Sequence, residues 1–528
     1  MFKDAPAPWD LFRLGKLFAE DTSSSESLEQ VLYWLRDCLA NHTECGLHGE
    51  SEPELPTRLL DVGSLDDEDP QVRLHETKAE TGLYVALSHC WGKSQMIKTE
   101  RNSLGARKNG IAWEELPKSF QDAVAFVRRL RLKYLWIDSL CIVQDDNGDW
   151  EKESAQMASI YANSVLTIAA TKSADSSGGC FSAAPDSWRT HTISGTDKSG
   201  KEFVVHVRPQ VSNWANSPLP LLSRAWCFQE RILSPRILHF EHRELRWECN
   251  AITTCESALE SSPRRDGGAQ RISQNSDPHS LNDAWRKLVH EYVELDITYE
   301  SDRLPALSGL AKHVKETYGR GRYLAGLWED SLFEDLLWWV REEDVHDTRR
   351  SKKWRAPSWS WVSIEGNILH RIYPIKVKHC TVIDVQVAAA GKDPTGAVIS
   401  GSLILSGTLL SARLRTIRPK SDAEEDELDH RRFAIEIKDM VNMKPHKIYV
   451  DYELDKMGDG YIPDGEEIYC FCIATDQWHK CWMVLRHAQC ETGEAYERIG
   501  MAWQSRAEIK DGNDWASAMS ENVTVTIV

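Results

Sequence analysis

Between Gly82 and about Cys249, short apolar runs alternate with amphipathic helical patterns. That alternation restricts the chain to a parallel or mixed sheet with helices on its faces. The candidate strands are Tyr84–Ser88, Tyr134–Asp138, Val165–Ala170, Phe203–Val207 and Ile237–Trp247. The spacing predicts helices over Ser119–Leu132, opened by Pro117, and over Trp150–Tyr161 and Ala225–Leu233. The expected class for this region is α/β. In an open α/β sheet, ligands bind beyond the C-terminal ends of the strands, so Ser88–Trp91 and Asp138–Asp146 are expected to edge one crevice.

At 528 residues the chain exceeds one hydrophobic core. Polar or charge-dense stretches at Ser51–Thr57, Glu260–Asn282 and Arg418–Arg432 read as linkers or loops. The expected division is an N-terminal helical segment at 1–55, the α/β domain at 56–259, a polar linker at 260–282, a mainly helical Trp-rich region at 283–375 and a β-rich region at 376–528. The Ser27–Leu39 helix carries an apolar face and must dock on a neighbour. Short β-branched runs such as Val398–Leu405, Ile468–Ile473, Trp482–Leu485 and Val523–Val528 predict a sandwich or barrel-like C-terminal unit. Lys and Arg number 63 against 81 Asp and Glu, and the net charge of −18 argues against nucleic acid and anionic lipid as partners. With no apolar run long enough to cross a membrane and an odd count of 13 Cys, a soluble cytoplasmic protein with reduced thiols is expected. Trp, at 21, outnumbers both Tyr and Phe, which suits core packing first and pocket walls second.

Several familiar signatures fail. A P-loop ending at Gly92-Lys93-Ser94 needs a glycine where Leu87 stands, and a dinucleotide fingerprint opening at Gly319 needs one where Leu324 stands. Serine-hydrolase elbows, His-Glu-x-x-His pairs and four-cysteine ribbons do not occur. Cys38, His42, Cys45 and His48 have spacings that could supply a tetrahedral zinc, but four ligands in so short a run close a very tight site. The simpler reading is that Cys38 and His42 finish the packing of the preceding helix, and no metal ligand is assigned. Cys470, Cys472 and Cys481 read as small buried hydrophobes. A thiol–imidazole pair from His89 and Cys141 is disfavoured against inert buried cysteine.

Three longer strings stand out. They are Gly82-Leu83-Tyr84-Val85-Ala86-Leu87-Ser88-His89-Cys90-Trp91-Gly92; Tyr134-Leu135-Trp136-Ile137-Asp138-Ser139-Leu140-Cys141-Ile142-Val143-Gln144-Asp145-Asp146 with Asp149, Trp150, Glu153, Met157, Ile160 and Tyr161 following; and Ser223-Arg224-Ala225-Trp226-Cys227-Phe228-Gln229-Glu230-Arg231-Ile232-Leu233-Ser234-Pro235-Arg236. Together they resemble the signature blocks of the fungal heterokaryon-incompatibility (HET) domain family, in the same order. The likeness continues through Ser301-Asp302-Arg303-Leu304-Pro305-Ala306-Leu307-Ser308-Gly309, Arg355-Ala356-Pro357-Ser358-Trp359-Ser360-Trp361 and Tyr496-Glu497-Arg498-Ile499-Gly500. It implies a fungal non-self recognition effector that triggers programmed cell death. It also implies a fold similar to Toll/interleukin-receptor-type (TIR) domains, a flavodoxin-like parallel or mixed sheet. Catalytic TIR domains cleave NAD with one helix-borne glutamate in a Ser-x-Trp-Cys-x-x-Glu string, which Ser223–Glu230 matches with one extra residue after the serine.

On that resemblance Glu230 is the catalytic candidate, NAD the candidate substrate, and no bound cofactor is expected. Trp226 and Glu230, four apart on a helix, share a face. Losing nicotinamide gives the ribose oxocarbenium character, which a fixed carboxylate stabilises. Ser88, His89, Trp91, Asp138 and Trp226 are the candidate ligand-binding residues. The bland alternatives are a salt bridge from Glu230 to Arg224, Arg231 or Arg236, turn capping by Asp138, and helix capping by Asp145 or Asp146, with calcium a weaker role for that pair. An anionic dinucleotide would need cations such as Lys93, Arg224 or Arg231. The competing functional readings are a non-enzymatic signalling module that works by self-association or protein partners, and a small-molecule enzyme on the same scaffold.

Overall fold

A computed structural model describes residues 16–46, 52–67, 71–92, 97–184, 186, 189–196, 199–200, 202–207, 219–258, 262–263, 278–371, 373–417, 432–438, 446–456, 460–490, 493–510, 514–515 and 522–528. The chain divides into two units, Met1–Arg271 and Ile272–Val528. Among the described residues no helix is long and apolar enough to cross a membrane.

The N-terminal unit is built in the order α1 (Ser25–Asn41), β1 (Arg58–Asp61), β2 (Arg73–Glu76), β3 (Tyr84–Ser88), α2 (Leu104–Asn109), α3 (Lys118–Arg129), β4 (Tyr134–Trp136), α4 (Asp138–Cys141), α5 (Asn147–Ser154), α6 (Met157–Asn163), β5 (Leu166–Ala169), β6 (His191–Thr196), β7 (Glu202–Val207), α7 (Ala225–Leu233), β8 (Arg236–Phe240), β9 (Leu245–Cys249), β10 (Ile252–Cys255) and β11 (Ser262–Pro263). Nine strands form one mixed sheet in the order β11-β10-β9-β8-β5-β3-β4-β1-β2. Its centre is parallel: Ala86 pairs with Trp136, Ser88 with Ala169 and Thr167 with Ile237. Both flanks are antiparallel. Every residue of β3, β5 and β8 is buried, which is why these strands read as continuous apolar runs rather than alternating ones. Counted in chain order, the parallel strands lie 2-1-3-4, so the crossovers diverge between β3 and β5 and open a crevice at their C-terminal ends.

Four expected elements are corrected. The strand from Tyr134 stops at Trp136, and Asp138 instead opens the short helix α4. The Trp150–Tyr161 helix is two helices, because α5 ends at Ser154 and α6 begins at Met157. Ile237–Trp247 is a hairpin of β8 and β9 with Phe240 opposite Leu245. Phe203–Val207 is a strand but lies outside the main sheet, paired only with β6. Its side chains alternate between exposed and half-buried, and it lacks the two-sided cover of a central strand. Helix α1 docks as expected, with Trp34 against Trp247 of β9 at a ring separation of 6.0 Å.

In the C-terminal unit two helices, Pro278–Val293 and Pro305–Tyr318, precede a ten-stranded sheet. The 19-residue strand Val398–Thr416 pairs with both Glu467–Thr475 and Asn522–Ile527, so the ring through His479–Cys490 and Gly493–Ser505 closes on itself. Closure removes exposed edges from these strands and gives the barrel-like arrangement the sequence predicts. The tryptophan excess is mostly core: Trp136, Trp247, Trp285, Trp328, Trp338, Trp359, Trp361, Trp482 and Trp515 are all under 2% exposed. Trp285 and Trp361 both donate their indole N–H to the Gly326 carbonyl at 3.2 Å. Gly326 has φ +103°, and a Cβ there would stand 2.8 Å from the Trp361 ring, so only glycine admits this approach.

Arg498 is fully buried and completely occupied. It makes two bonds to the Asp451 carboxylate (3.0 and 3.1 Å), donates to the carbonyls of Leu336 (2.8 Å) and Trp338 (2.5 Å), and lies 3.4 Å over the Trp338 ring. Its backbone N–H donates to Ser358 Oγ, which itself donates to the Val528 carbonyl. The Trp-rich segment and the barrel are thus joined through one guanidinium. Asp451→Ala leaves that charge buried without its counter-ion and is expected to cost the C-terminal unit about 3–5 kcal/mol. Urea dependence of hydrogen exchange in strand Gly493–Ser505 measures it, and undiminished protection would refute it.

Candidate functional site

The crevice between β3 and β5 is filled from the side of α6 and α7. β3 ends at Ser88, α6 contributes Tyr161, and α7 carries Cys227 and Glu230 on its buried face. Cys90, Ala169, Leu221, Cys227 and Ile237 form an apolar cluster beside them. Arg224 is the residue at which α7 begins.

Glu230 is only 5% exposed. Burial pushes its carboxyl up to about 7, and the negative charge of Asp138 adds to that shift. Hydrogen bonding by Ser88 and Tyr161 and the charge of Arg224 pull it the other way and do not prevail. The Oε2 atom is enclosed with no hydrogen-bond partner, and among the described residues no cation lies within ion-pair distance of the carboxylate. Two of the expected salt-bridge partners are engaged elsewhere. Arg231 pairs with Glu248 at 3.0 and 3.2 Å, and Arg236 donates to the carbonyls of Val165, Cys45 and Gly46. Arg224 acts on Glu230 through its charge.

The other candidate residues divide between the two faces of the sheet. Asp138 holds the strand ends together: its Oδ2 accepts the Trp91 indole N–H at 2.7 Å and its Oδ1 accepts the Ser139 N–H at 2.7 Å. It therefore anchors Trp91 and accepts from the first turn of α4, whose N-cap position, Ile137, makes no side-chain cap bond. His89 packs edge-on against Phe120 of α3, with Nδ1 3.8 Å from Asp138 Oδ1. Burial holds the imidazole below its ordinary range, although the Asp138 charge opposes this. Ser88 faces α6 and α7 while His89 faces α3, as neighbours on a strand do. Trp91 and Trp226 are half-buried, with Trp226 one turn before Glu230 on α7. Gly92, at φ +73°, ends this loop, where a Cβ would overlap that of Asp175. Lys93 lies outside the described residues.

The sequence reading did not single out Tyr161 or Cys227. Tyr161 OH donates to the Leu87 carbonyl at 3.2 Å, and its acidity is suppressed by burial and then by the charges of Glu230 and Asp138. The signal available was its place at the end of the second sequence block. The cysteine-hydrolase alternative finds no support: burial pushes the Cys141 thiol up to about 12, and the Ile137 N–H approaches its sulfur at 3.5 Å. Asp146 caps α5 by accepting from the Gly148 and Asp149 N–H groups. At the opposite end of the parallel strands lies an open hollow of about 720 Å³, lined by Asp61, Arg73, Arg128 and Lys133 among others. Burial there pushes Asp61 up, but Arg73, the Gly63 N–H and Lys133 outweigh it and hold it below its ordinary range. Asp61 there is paired with Arg73 and Lys133, whereas no ion pair to Glu230 occurs among the described residues.

A carboxyl whose folded pKa of about 7 lies above its ordinary value of 4.5 stabilises the fold when protonated, at low pH, and loses that advantage as pH rises through 7. The ionised form costs roughly 3 kcal/mol at full ionisation. Glu230→Gln is therefore expected to stabilise the N-terminal unit by up to that amount at pH 8 and by almost nothing at pH 4. Urea unfolding at the two pH values checks this, and equal effects at both would contradict it. Among known proteins, no curated protein and no solved structure matches the chain. Residues 84–230, from the first residue of β3 to Glu230 itself, match the family model described as Heterokaryon incompatibility protein (HET), so this part of the N-terminal unit is similar to that family.

Proposed function

We propose that the chain is a heterokaryon-incompatibility effector whose N-terminal unit hydrolyses the N-glycosidic bond of NAD at Glu230, leading to cell death. The observation that carries this reading is the enclosed Glu230 carboxyl at the crevice between β3 and β5, with one oxygen unpartnered and no cation within ion-pair distance among the described residues. Such a group is short of positive charge at contact distance, and the reaction creates one. Cleavage breaks the bond between ribose C1′ and the nicotinamide nitrogen, and the electron pair leaves with neutral nicotinamide. The ribose becomes an oxocarbenium ion, which the carboxylate stabilises in a low-dielectric setting. Water then adds to C1′, and its proton passes to Glu230 or to solvent.

Ser88 orients the carboxylate, Trp91 and Trp226 offer aromatic walls, and Arg224 supplies a positive charge for a pyrophosphate on a chain of net charge −18. The 2-1-3-4 order of the parallel strands and the Ser223–Glu230 string agree with the TIR-like comparison. A second reading, self-association without turnover, draws on the same enclosure. With Glu230 at 5% exposure, a ligand reaches it only after the strand-end loops or α7 move, which assembly of like domains would drive.

Nicotinamide release from NAD, followed over a range of protein concentrations, separates the two. Hydrolysis is expected to rise more steeply than linearly with protein, and Glu230→Gln is expected to lower it at least about 100-fold. Release that is absent throughout, or unchanged in Glu230→Gln, leaves the self-association reading in place. Because the ionised carboxylate is the working form, the rate should climb about tenfold per pH unit below 7 and level off above it. A flat profile from pH 5 to 8 would remove Glu230 from the chemistry.

A further inference from the structure

Three cysteines and a histidine converge outside the residues matched by the family model. Cys38 lies in the last turn of α1, His42 caps that helix, Cys45 ends the short turn Thr43–Cys45, and Cys249 ends β9. Their sulfur and ring-nitrogen atoms all lie within 4.8 Å of one another, and Cys249 Sγ is 3.3 Å from His42 Nδ1. The three cysteines are buried and the histidine is half-buried. A tetrahedral zinc with bonds of about 2.3 Å to sulfur and 2.0–2.1 Å to nitrogen sets its ligand atoms roughly 3.5–3.8 Å apart. The four side chains are therefore within about 1 Å of closing on an ion.

We propose that Cys38, His42, Cys45 and Cys249 form a structural zinc site that staples α1 to β9. Three thiolates and an imidazole select a soft to borderline divalent ion, and four protein ligands leave no open position for catalysis. The outer groups fit this role. His42 Nε2 lies 3.9 Å from an Asp37 carboxylate oxygen, longer than a hydrogen bond but on the side where a ligating histidine commonly finds a carboxylate for its other nitrogen. The turn carrying Cys45 is tied down by Arg236, which donates to the Cys45 and Gly46 carbonyls at 3.1 and 2.9 Å, and by Asn250, which donates to the Glu44 carbonyl. Zinc with three thiolates carries one net negative charge, and the buried Arg236 guanidinium beside the turn offsets it. His48, the fourth member of the short spacing pattern, lies outside the described residues, and Cys249, 207 residues from His42, takes that place. The site adds a second anchor to the Trp34–Trp247 contact. It also fixes β9 against β8, the strand that follows α7 and Glu230.

Elemental analysis of the full chain, purified under reducing conditions without chelator, is expected to find about one zinc per protein. Cys249→Ser and Cys38→Ser should each remove it, while Cys470→Ser, at a buried thiol of the C-terminal unit, should keep it. Asp37→Asn should weaken zinc about 10- to 100-fold in chelator competition. Since the cysteine variants can fail to fold, cobalt(II) exchanged into the native protein gives an independent readout. Tetrahedral d–d bands with thiolate charge transfer support the site. A reduced, folded protein that takes up neither zinc nor cobalt overturns it, as does zinc retained in full by Cys249→Ser or a disulfide found among Cys38, Cys45 and Cys249.

Discussion

Removing a carboxylate from water is costly unless a counter-charge or a set of donors replaces the lost hydration. At Glu230 neither replacement is complete: one oxygen lacks a hydrogen bond, and no ion pair to it occurs among the described residues. Its penalty of roughly 3 kcal/mol is a substantial part of the net stability of about 5–15 kcal/mol typical of a folded domain. The sheet offsets it with β3, β5 and β8, none of whose residues reaches solvent appreciably. The main chain of α7 is fixed as well: Ser234 Oγ donates to the Glu230 carbonyl at 2.7 Å and is hydrogen-bonded in turn to Thr167 of β5. The backbone beneath the carboxyl is thus rigid while one carboxyl oxygen is left open.

Position follows from topology. Because the parallel strands diverge between β3 and β5, the end of β3 projects polar side chains toward helices on both faces. Ser88 meets α6 and α7, and His89 meets α3. Asp138, at the end of β4, touches both environments, through its charge on Glu230 and its approach to His89, and it ties down Trp91 as well. Any movement of the Trp91 loop would therefore be felt at Asp138, and through its charge at Glu230. That linkage connects loop opening to the ionisation of the carboxyl without requiring direct contact between them.

What was legible in the sequence had a local cause. β3 and α7 have the bounds expected of them because two-sided burial writes a continuous apolar run and one-sided burial writes a helical period. The flanking strands were not legible. Arg58-Leu59-Leu60-Asp61 has charged ends that suggest a loop, yet all four residues are buried, since Arg58 pairs with Asp149 at 2.5 Å and Asp61 with Arg73 at 2.9 Å. Those partners lie far along the chain or across a strand pair, where no window of sequence displays them. Tyr161 and Cys249 were missed for the same reason: each matters through a residue distant in sequence. The strings around Ser358 and Arg498 stood out as patterns, and the structure supplies their cause, the hydrogen bonds that join Ser358 to Arg498 and Arg498 to Asp451.

Buried charge is frequent in this chain, so burial alone does not mark a functional group. Arg498 is met by a carboxylate, two carbonyls and an aromatic face. Glu248 is shared between Arg231 and His239, and Asp335 takes Arg286, the Trp328 N–H and Ser331. Glu153 and Glu365 each have an oxygen without a hydrogen bond, but Lys152 stands 3.2 Å from the first and Arg355 3.7 Å from the second. Each of these groups is neutralised where it sits, and each consequently reads as framework. Glu230 has hydroxyls nearby and a like charge in Asp138, but no cation at contact distance among the described residues. Glu230 differs from these groups in having an enclosed oxygen without a hydrogen bond and no ion pair among the described residues, a deficit that the oxocarbenium ion of the proposed reaction would fill.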